Sequence, residues 1–195
     1  MSLNIARRFA AADYVARRTQ YNLPPMTARV PCHLLILALV MLGAGALSAG
    51  AEELAAADHL VVRKAERKLY LYHGEELLGS YRIALGLHPV GHKEREHDYR
   101  TPEGHYELAQ RNTRSSYFLS ILVSYPNPVD LRRARQRGWP AGGSIMIHGF
   151  PNSPSHSTAY YETTDWTNGC IALSNSDMVE VWMRTQDNTP IDILP

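Results

Sequence analysis

The sequence predicts a mainly β domain, a closed or sandwiched sheet with few and short helices. Three observations predict it. From residue 58 onward, short segments of alternating apolar residues follow one another, joined by tight turns. Only residues 130–137 and 174–183 carry helix start and stop signals. The chain ends on a turn, Asp187-Asn188-Thr189-Pro190, that leads into a last strand over 191–194. Strands that do not alternate with helices cannot build βαβ units, which leaves a barrel or sandwich.

The elements read in order as follows. Residues 58–67 (DHLVVRKAER) hold a strand, and 68–72 (KLYLY) a second. His73-Gly74-Glu75 turns the chain into a third over 77–85, and this meander predicts an antiparallel sheet. Residues 86–99 are polar and punctuated by Gly86, Pro89 and Gly91, so they read as a loop. Thr101-Pro102-Glu103-Gly104 is a turn before a strand over 105–110. Residues 118–123 (FLSILV) form another strand, ended by Tyr125-Pro126-Asn127-Pro128. Asp130 is the expected cap of a helix to Arg137, closed by Gly138. Residues 144–147 (SIMI) are a short buried strand that delivers His148-Gly149 at its end. Ser174 to Asp177 open the second helix.

Ahead of this domain, residues 34–47 (LLILALVMLGAGAL) form an apolar run of 14. A membrane span needs about 20 such residues, whereas a secretory signal core needs about 7–15. Arg29 precedes the run and Ala49-Gly50-Ala51 follows it as a small-x-small cleavage site. Met26 opens a compact signal by itself, so translation is expected to start there. Residues 1–51 are read as an extension with a signal peptide or a membrane anchor, and 58–195 as the functional domain. The expected location is the periplasm or cell envelope, with an inner-membrane anchor if the segment stays uncleaved. The first 51 residues carry five Arg and one Asp, while the remainder carries 15 Lys/Arg against 18 Asp/Glu. That mildly acidic remainder gives no support to nucleic-acid binding. The one basic cluster, 132–137 (RRARQR), reads as a solvated helix face or a contact with an anionic polymer.

Cys170 is the informative residue. It lies in Asp165-Trp166-Thr167-Asn168-Gly169-Cys170-Ile171, 22 residues after His148. The other cysteine, Cys32, sits in the leader, so an exported domain keeps one thiol and no internal disulfide. A thiolate is a strong nucleophile but needs a base or a positive setting to form near neutral pH. His148 can supply both, which predicts a thiol ionised below its ordinary pKa of about 8.5. Backbone N–H groups around Asn168, Gly169 and Cys170 can cradle an oxyanion. A buried, inert core thiol is the alternative that the bare sequence leaves open. His88, His92, His97 and Asp98 sit at spacings that do not fix a tetrahedral metal site, and neither metal nor cofactor is expected.

The tract Ile147-His148-Gly149, followed by Thr167-Asn168-Gly169-Cys170-Ile171, resembles the signature of YkuD-type L,D-transpeptidase catalytic domains. Thr101 to Gly104, Gly142 to Ile147 and the ending 187–195 are similar as well, so the resemblance spans about residues 58–195. It is closest in style to single-domain periplasmic members. The resemblance implies a β-sandwich or barrel with short helices and an active-site loop. It implies Cys170 as acyl-enzyme nucleophile and His148 as base, with Gly149, Thr167, Asn168 and Gly169 supporting the site. Arg111, His156, Tyr160 and Trp166 are candidates for binding substrate. Many members have histidine where this chain has Asn168, and arginine or asparagine where it has Ala172. The extra chain over 150–164 is expected to form a lid-like loop beside the cleft.

The implied activity is acyl transfer on peptidoglycan stem peptides through a Cys170 thioester. The acceptor is left open among a second stem peptide, a D-amino acid, a wall-linked protein and water. Water would make the site an L,D-carboxypeptidase or amide hydrolase. A non-catalytic wall-binding module is the alternative from another class. No nucleic acid is expected as partner, and membrane contact only through an uncleaved N-terminal segment.

Overall fold

A computed structural model of the protein describes residues 54–195. The leader, with its signal and anchor readings and Cys32, lies outside the described residues. Among those described, no helix is long and apolar enough to cross a membrane.

Eight strands make one mixed sheet. They are β1 (His59–Arg63), β2 (Lys68–His73), β3 (Glu76–Arg82), β4 (Gly104–Asn112), β5 (Ser120–Val123), β6 (Met146–His148), β7 (Ile171–Ala172) and β8 (Pro190–Leu194). Their order across the sheet is β3-β2-β1-β8-β4-β5-β6-β7. Leu60 and Val62, Leu69 and Leu71, Ile191 and Ile193 are the inward residues of alternating strands, and all are buried. Three helices accompany the sheet: α1 (Pro128–Gln136), α2 (Thr158–Thr163) and α3 (Asn175–Arg184). The third lays Met178 and Val181, one helical turn apart, into the core.

The opening meander β1-β2-β3 is antiparallel, as expected, but the sheet as a whole is mixed. Neighbours are antiparallel along most of it, but β1 pairs with β8 in parallel, and so does β6 with β7. Beyond Arg82 the chain leaves β2 and bonds to the opposite end of the sheet. Ala84 and Ala172 exchange both backbone hydrogen bonds at 2.9 Å. The third strand therefore ends three residues earlier than its apolar run. The same contact draws the two ends of the sheet together and curls it into a half-barrel.

Two other boundaries move for local reasons. The first helix starts at Pro128, with Asn127 as its cap in place of Asp130. Pro128 suits the first helical position because its fixed φ is already helical and it has no N–H to leave unpaired. Asn127 Oδ1 accepts from the N–H groups of Val129 and Asp130, and Asp130 Oδ2 accepts from Asn127 N–H in return. Residues 150–164, expected as a lid-like loop, contain the short helix α2, capped by Ser157. Its Tyr161 is buried against Phe150 and Trp166, at centroid distances of 5.6 and 5.0 Å.

The long segment between β3 and β4 is held down by a buried ammonium. Lys64 is 2% exposed and donates to Gly91 O, Thr101 O and Glu103 Oε1 at 2.7, 3.0 and 2.8 Å. Those three bonds use all its donors. Within the segment Lys93 pairs with Asp98 at 2.8 Å, and Asp98 also accepts from the N–H groups of Glu94, Arg95 and Arg100. A polar loop is thereby fixed as one wall of a cleft.

Candidate active site

The parallel pairing of β6 with β7 matches Ile147 with Ile171 and His148 with Ala172. It carries His148 to the end of one strand and Cys170 to the start of its neighbour. Both side chains line a single cleft of about 400 Å³. Trp166, Thr167 and Asn168 line it from the turn before Cys170, Gly142 to Met146 from the approach to β6, and Lys93, Glu96 and His97 from the pinned loop. Tyr117 completes the wall.

The turn before Cys170 is built by Thr167. Its buried hydroxyl donates to Cys170 O at 2.8 Å and accepts from Gly169 N–H at 3.1 Å. Its backbone bonds to Leu85 and Leu87, which ties the turn to the far edge of the half-barrel. Gly169 has φ +127, and a Cβ there would lie 2.6 Å from Arg100 O. Conformation and space both require glycine. Because its N–H is taken by Thr167, Gly169 cannot donate to an oxyanion, which narrows the expected set to Asn168 and Cys170.

Gly149 is required for reasons of space. A Cβ there would meet Asn175 Oδ1 at 2.6 Å and Phe118 Cβ at 3.0 Å. The residue is glycine because the start of α3 and the segment just before β5 approach closely. Its carbonyl accepts from His148 Nδ1–H at 2.7 Å. That bond fixes the tautomer and leaves Nε2 with a free lone pair. The imidazole is 3% exposed and packs near Tyr117 and Trp166, with ring centroids 4.6 and 5.6 Å away. Burial drives its pKa down to about 4, only partly offset by the Gly149 bond. His148 is therefore neutral at pH 7.

Cys170 Sγ contacts Ser144 O at 3.6 Å, a weak S–H bond, and no hydrogen bond joins it to His148. Burial pushes the thiol above its ordinary pKa, while the Met146 N–H and the Lys93 charge pull the other way and lose. The expectation of a thiolate formed below the ordinary value is thus reversed. Desolvation outweighs the neighbours, and a neutral imidazole contributes no positive charge.

The remaining candidates fall into two groups. Trp166 is a wall of the cleft, and its Nε1–H donates to Tyr161 O at 3.2 Å. Arg111, His156 and Tyr160 do not line that cleft. Arg111 donates to Trp182 O at 2.8 Å and to Thr185, and pairs with Asp187 at 3.2 Å, so it closes the C-terminal end of α3. His156 stacks on Tyr160 at 4.2 Å in the 150–164 segment. None of the residues in that segment lines the cleft itself, although Tyr161 packs behind its wall residue Trp166 at 5.0 Å. Asp165 does not reach His148 either; it holds Arg67 at 2.8 Å and accepts from Leu85 N–H. Lys93, Tyr117 and Ser144 escaped the sequence reading. Only Ser144 had a signal, through the two glycines before it.

A half-barrel that presents a thiol and a buried neutral imidazole in one cleft defines a class of cysteine-bearing β domains. The model of the L,D-transpeptidase catalytic domain family, YkuD, matches residues 57–193, and the chain belongs to that family of enzymes. YafK of Escherichia coli strain K12, whose own name places it among L,D-transpeptidases, is 35% identical over 130 residues. That match covers 64% of this chain and 45% of the relative, so the chain spans about half the length of such relatives. The helical cell shape determining protein Pgp2 of Campylobacter jejuni shares the fold, with TM-score 0.54 and 23% identity over 74% of this chain and 51% of that one. Bd1075 of Bdellovibrio bacteriovorus is similar too, with TM-score 0.51 and 25% identity over 72% and 51% of the two chains.

Proposed function

We propose that the domain is an L,D-transpeptidase-type acyltransferase acting on peptidoglycan stem peptides, with Cys170 as nucleophile and His148 as base. The observation that carries this reading is that β6 and β7 bring the two residues to one cleft. Membership of the family supplies the substrate class. His148 Nε2 takes the thiol proton as Sγ attacks the carbonyl of the L-centre next to a terminal D-residue. The N–H groups of Asn168 and Cys170 receive the developing oxyanion. The bond to the D-residue breaks, His148 returns the proton to the leaving amine, and a thioester remains. An acceptor amine attacks the thioester, its proton passes to His148, and the thiol is restored. Because both partners rest neutral, proton transfer accompanies attack instead of preceding it. The leader segment over 34–47 is read as what delivers the domain to the cell envelope.

Water as acceptor would turn the same site into a carboxypeptidase or amide hydrolase. Ala172 favours that second reading. It is buried in the β6–β7–Ala84 junction and leaves no polar side chain at that position to hold an acceptor. Incubation of the protein with a tetrapeptide muropeptide, followed by mass spectrometry, tests both. Cross-linked dimer or exchanged D-amino acid is expected for transfer, and tripeptide alone for hydrolysis. Loss of all products in Cys170→Ser, and a fall of about 10²–10⁴-fold in kcat for His148→Ala, are expected. Unchanged wild-type muropeptide, or turnover that survives Cys170→Ser, would remove the proposal.

A further inference from the structure

Next to the cleft lies a second hollow of about 320 Å³ whose walls include Arg95, Arg100, His88 and Trp139. His97 lines both spaces, so the two are neighbours. The acidic side chains in this second wall are already used. Asp98 holds Lys93 and three backbone N–H groups. Glu94 pairs with Arg137, and that pairing holds its carboxyl below the ordinary range. The guanidinium groups of Arg95 and Arg100 have no carboxylate partner among the described residues. Arg95 lies over the Trp139 ring at 5.2 Å, and Arg100 reaches only His92 O at 3.4 Å. Arg137 sits over the same ring at 5.3 Å.

We propose that this hollow is a subsite for a carboxylate of the polymer being processed, beyond His97 from the reacting sulfur. The proposal rests on the stem-peptide reading above. A guanidinium fork matches a carboxylate with two parallel hydrogen bonds, and is the usual choice for that group. Stacking on Trp139 holds Arg95 in place before the ligand arrives, which lowers the ordering cost of binding. Overall charge does not account for the patch, because residues 52–195 carry more acidic than basic side chains. A stem peptide that extends from Cys170 past His97 brings its carboxylates to the two free guanidinium groups.

The test compares the protein with an Arg95→Ala/Arg100→Ala variant on two stem peptides. One keeps its carboxylates away from the scissile bond, and the other has them amidated. On the first, KM is expected to rise about tenfold or more with kcat retained, as for loss of a charge-assisted hydrogen bond. On the amidated peptide the two proteins should behave alike. Added salt should shrink the difference. Should the alanine pair melt early, Arg95→Gln/Arg100→Gln keeps side-chain bulk and gives the same comparison. Equal KM values on the carboxylate peptide would overturn the subsite while leaving the stem-peptide reading in place. A wild-type protein that turns over neither peptide would overturn both.

Discussion

Cys170 sits between opposing influences, and their balance decides how it reacts. Removal from water favours the neutral thiol, whereas Met146 N–H and Lys93 favour the anion. Desolvation wins because the nearest imidazole is itself held neutral by burial. Cys170 and His148, the residues proposed as nucleophile and base, stood out in the sequence because each lies beside a glycine in a short tract. Their protonation was not, because it depends on Tyr117 and Trp166, which close over His148 from distant parts of the chain. The consequence can be measured by alkylating Cys170, with the leader removed so that it is the sole thiol. The rate against pH should reach its midpoint above the ordinary thiol value, and His148→Ala should leave that midpoint nearly in place. A midpoint below the ordinary value that climbs in His148→Ala would restore a preformed thiolate–imidazolium pair.

At the scale of elements, the strands were readable because alternation of apolar residues survives in β1, β2, β4 and β8. The parallel pairings were not readable. They depend on which distant strands become neighbours: β8, last in the sequence, lies between β1 and β4. The second helix escaped because Thr158 to Thr163 (TAYYET) is too short to show a helical period. Lys64 carried no signal of its own within the 58–67 strand segment, yet it anchors the loop that supplies Lys93 and His97 to the cleft. Lys64→Met fills the space but strips Glu103 of its cation and two carbonyls of their donor. We expect a loss of about 3 kcal/mol in unfolding free energy, read from urea titrations followed by circular dichroism. Alkylation of Cys170 should quicken as the cleft wall loosens. A variant with wild-type stability would mean that the ammonium contributes nothing net, the outcome expected if its desolvation cancels its bonds.

For the whole molecule, the site chemistry sets limits on stability with pH. His148 takes up protons near pH 4 when folded and near its ordinary 6.5 when unfolded. Between those values the unfolded chain binds more protons, so stability falls as pH drops through this window and is fully present above it. Burial lowers the pKa of His92 as well, which acts in the same direction. On the alkaline side the raised thiol of Cys170 acts oppositely. The unfolded thiol ionises first, so stability falls as pH rises through the ordinary thiol range near about 8.5. The domain is therefore most stable between these flanks, where Cys170 and His148 are both neutral, the state the proposed coupled proton transfer requires. His148→Gln removes the first titration while filling much the same volume. The unfolding free energy lost between pH 7.5 and 4.5 should be smaller in this variant by roughly 2–3 kcal/mol. Parallel losses in the two proteins would show that the imidazole is charged or solvated in the folded domain. A base that accepts the thiol proton only during attack would then have to give way to one protonated beforehand.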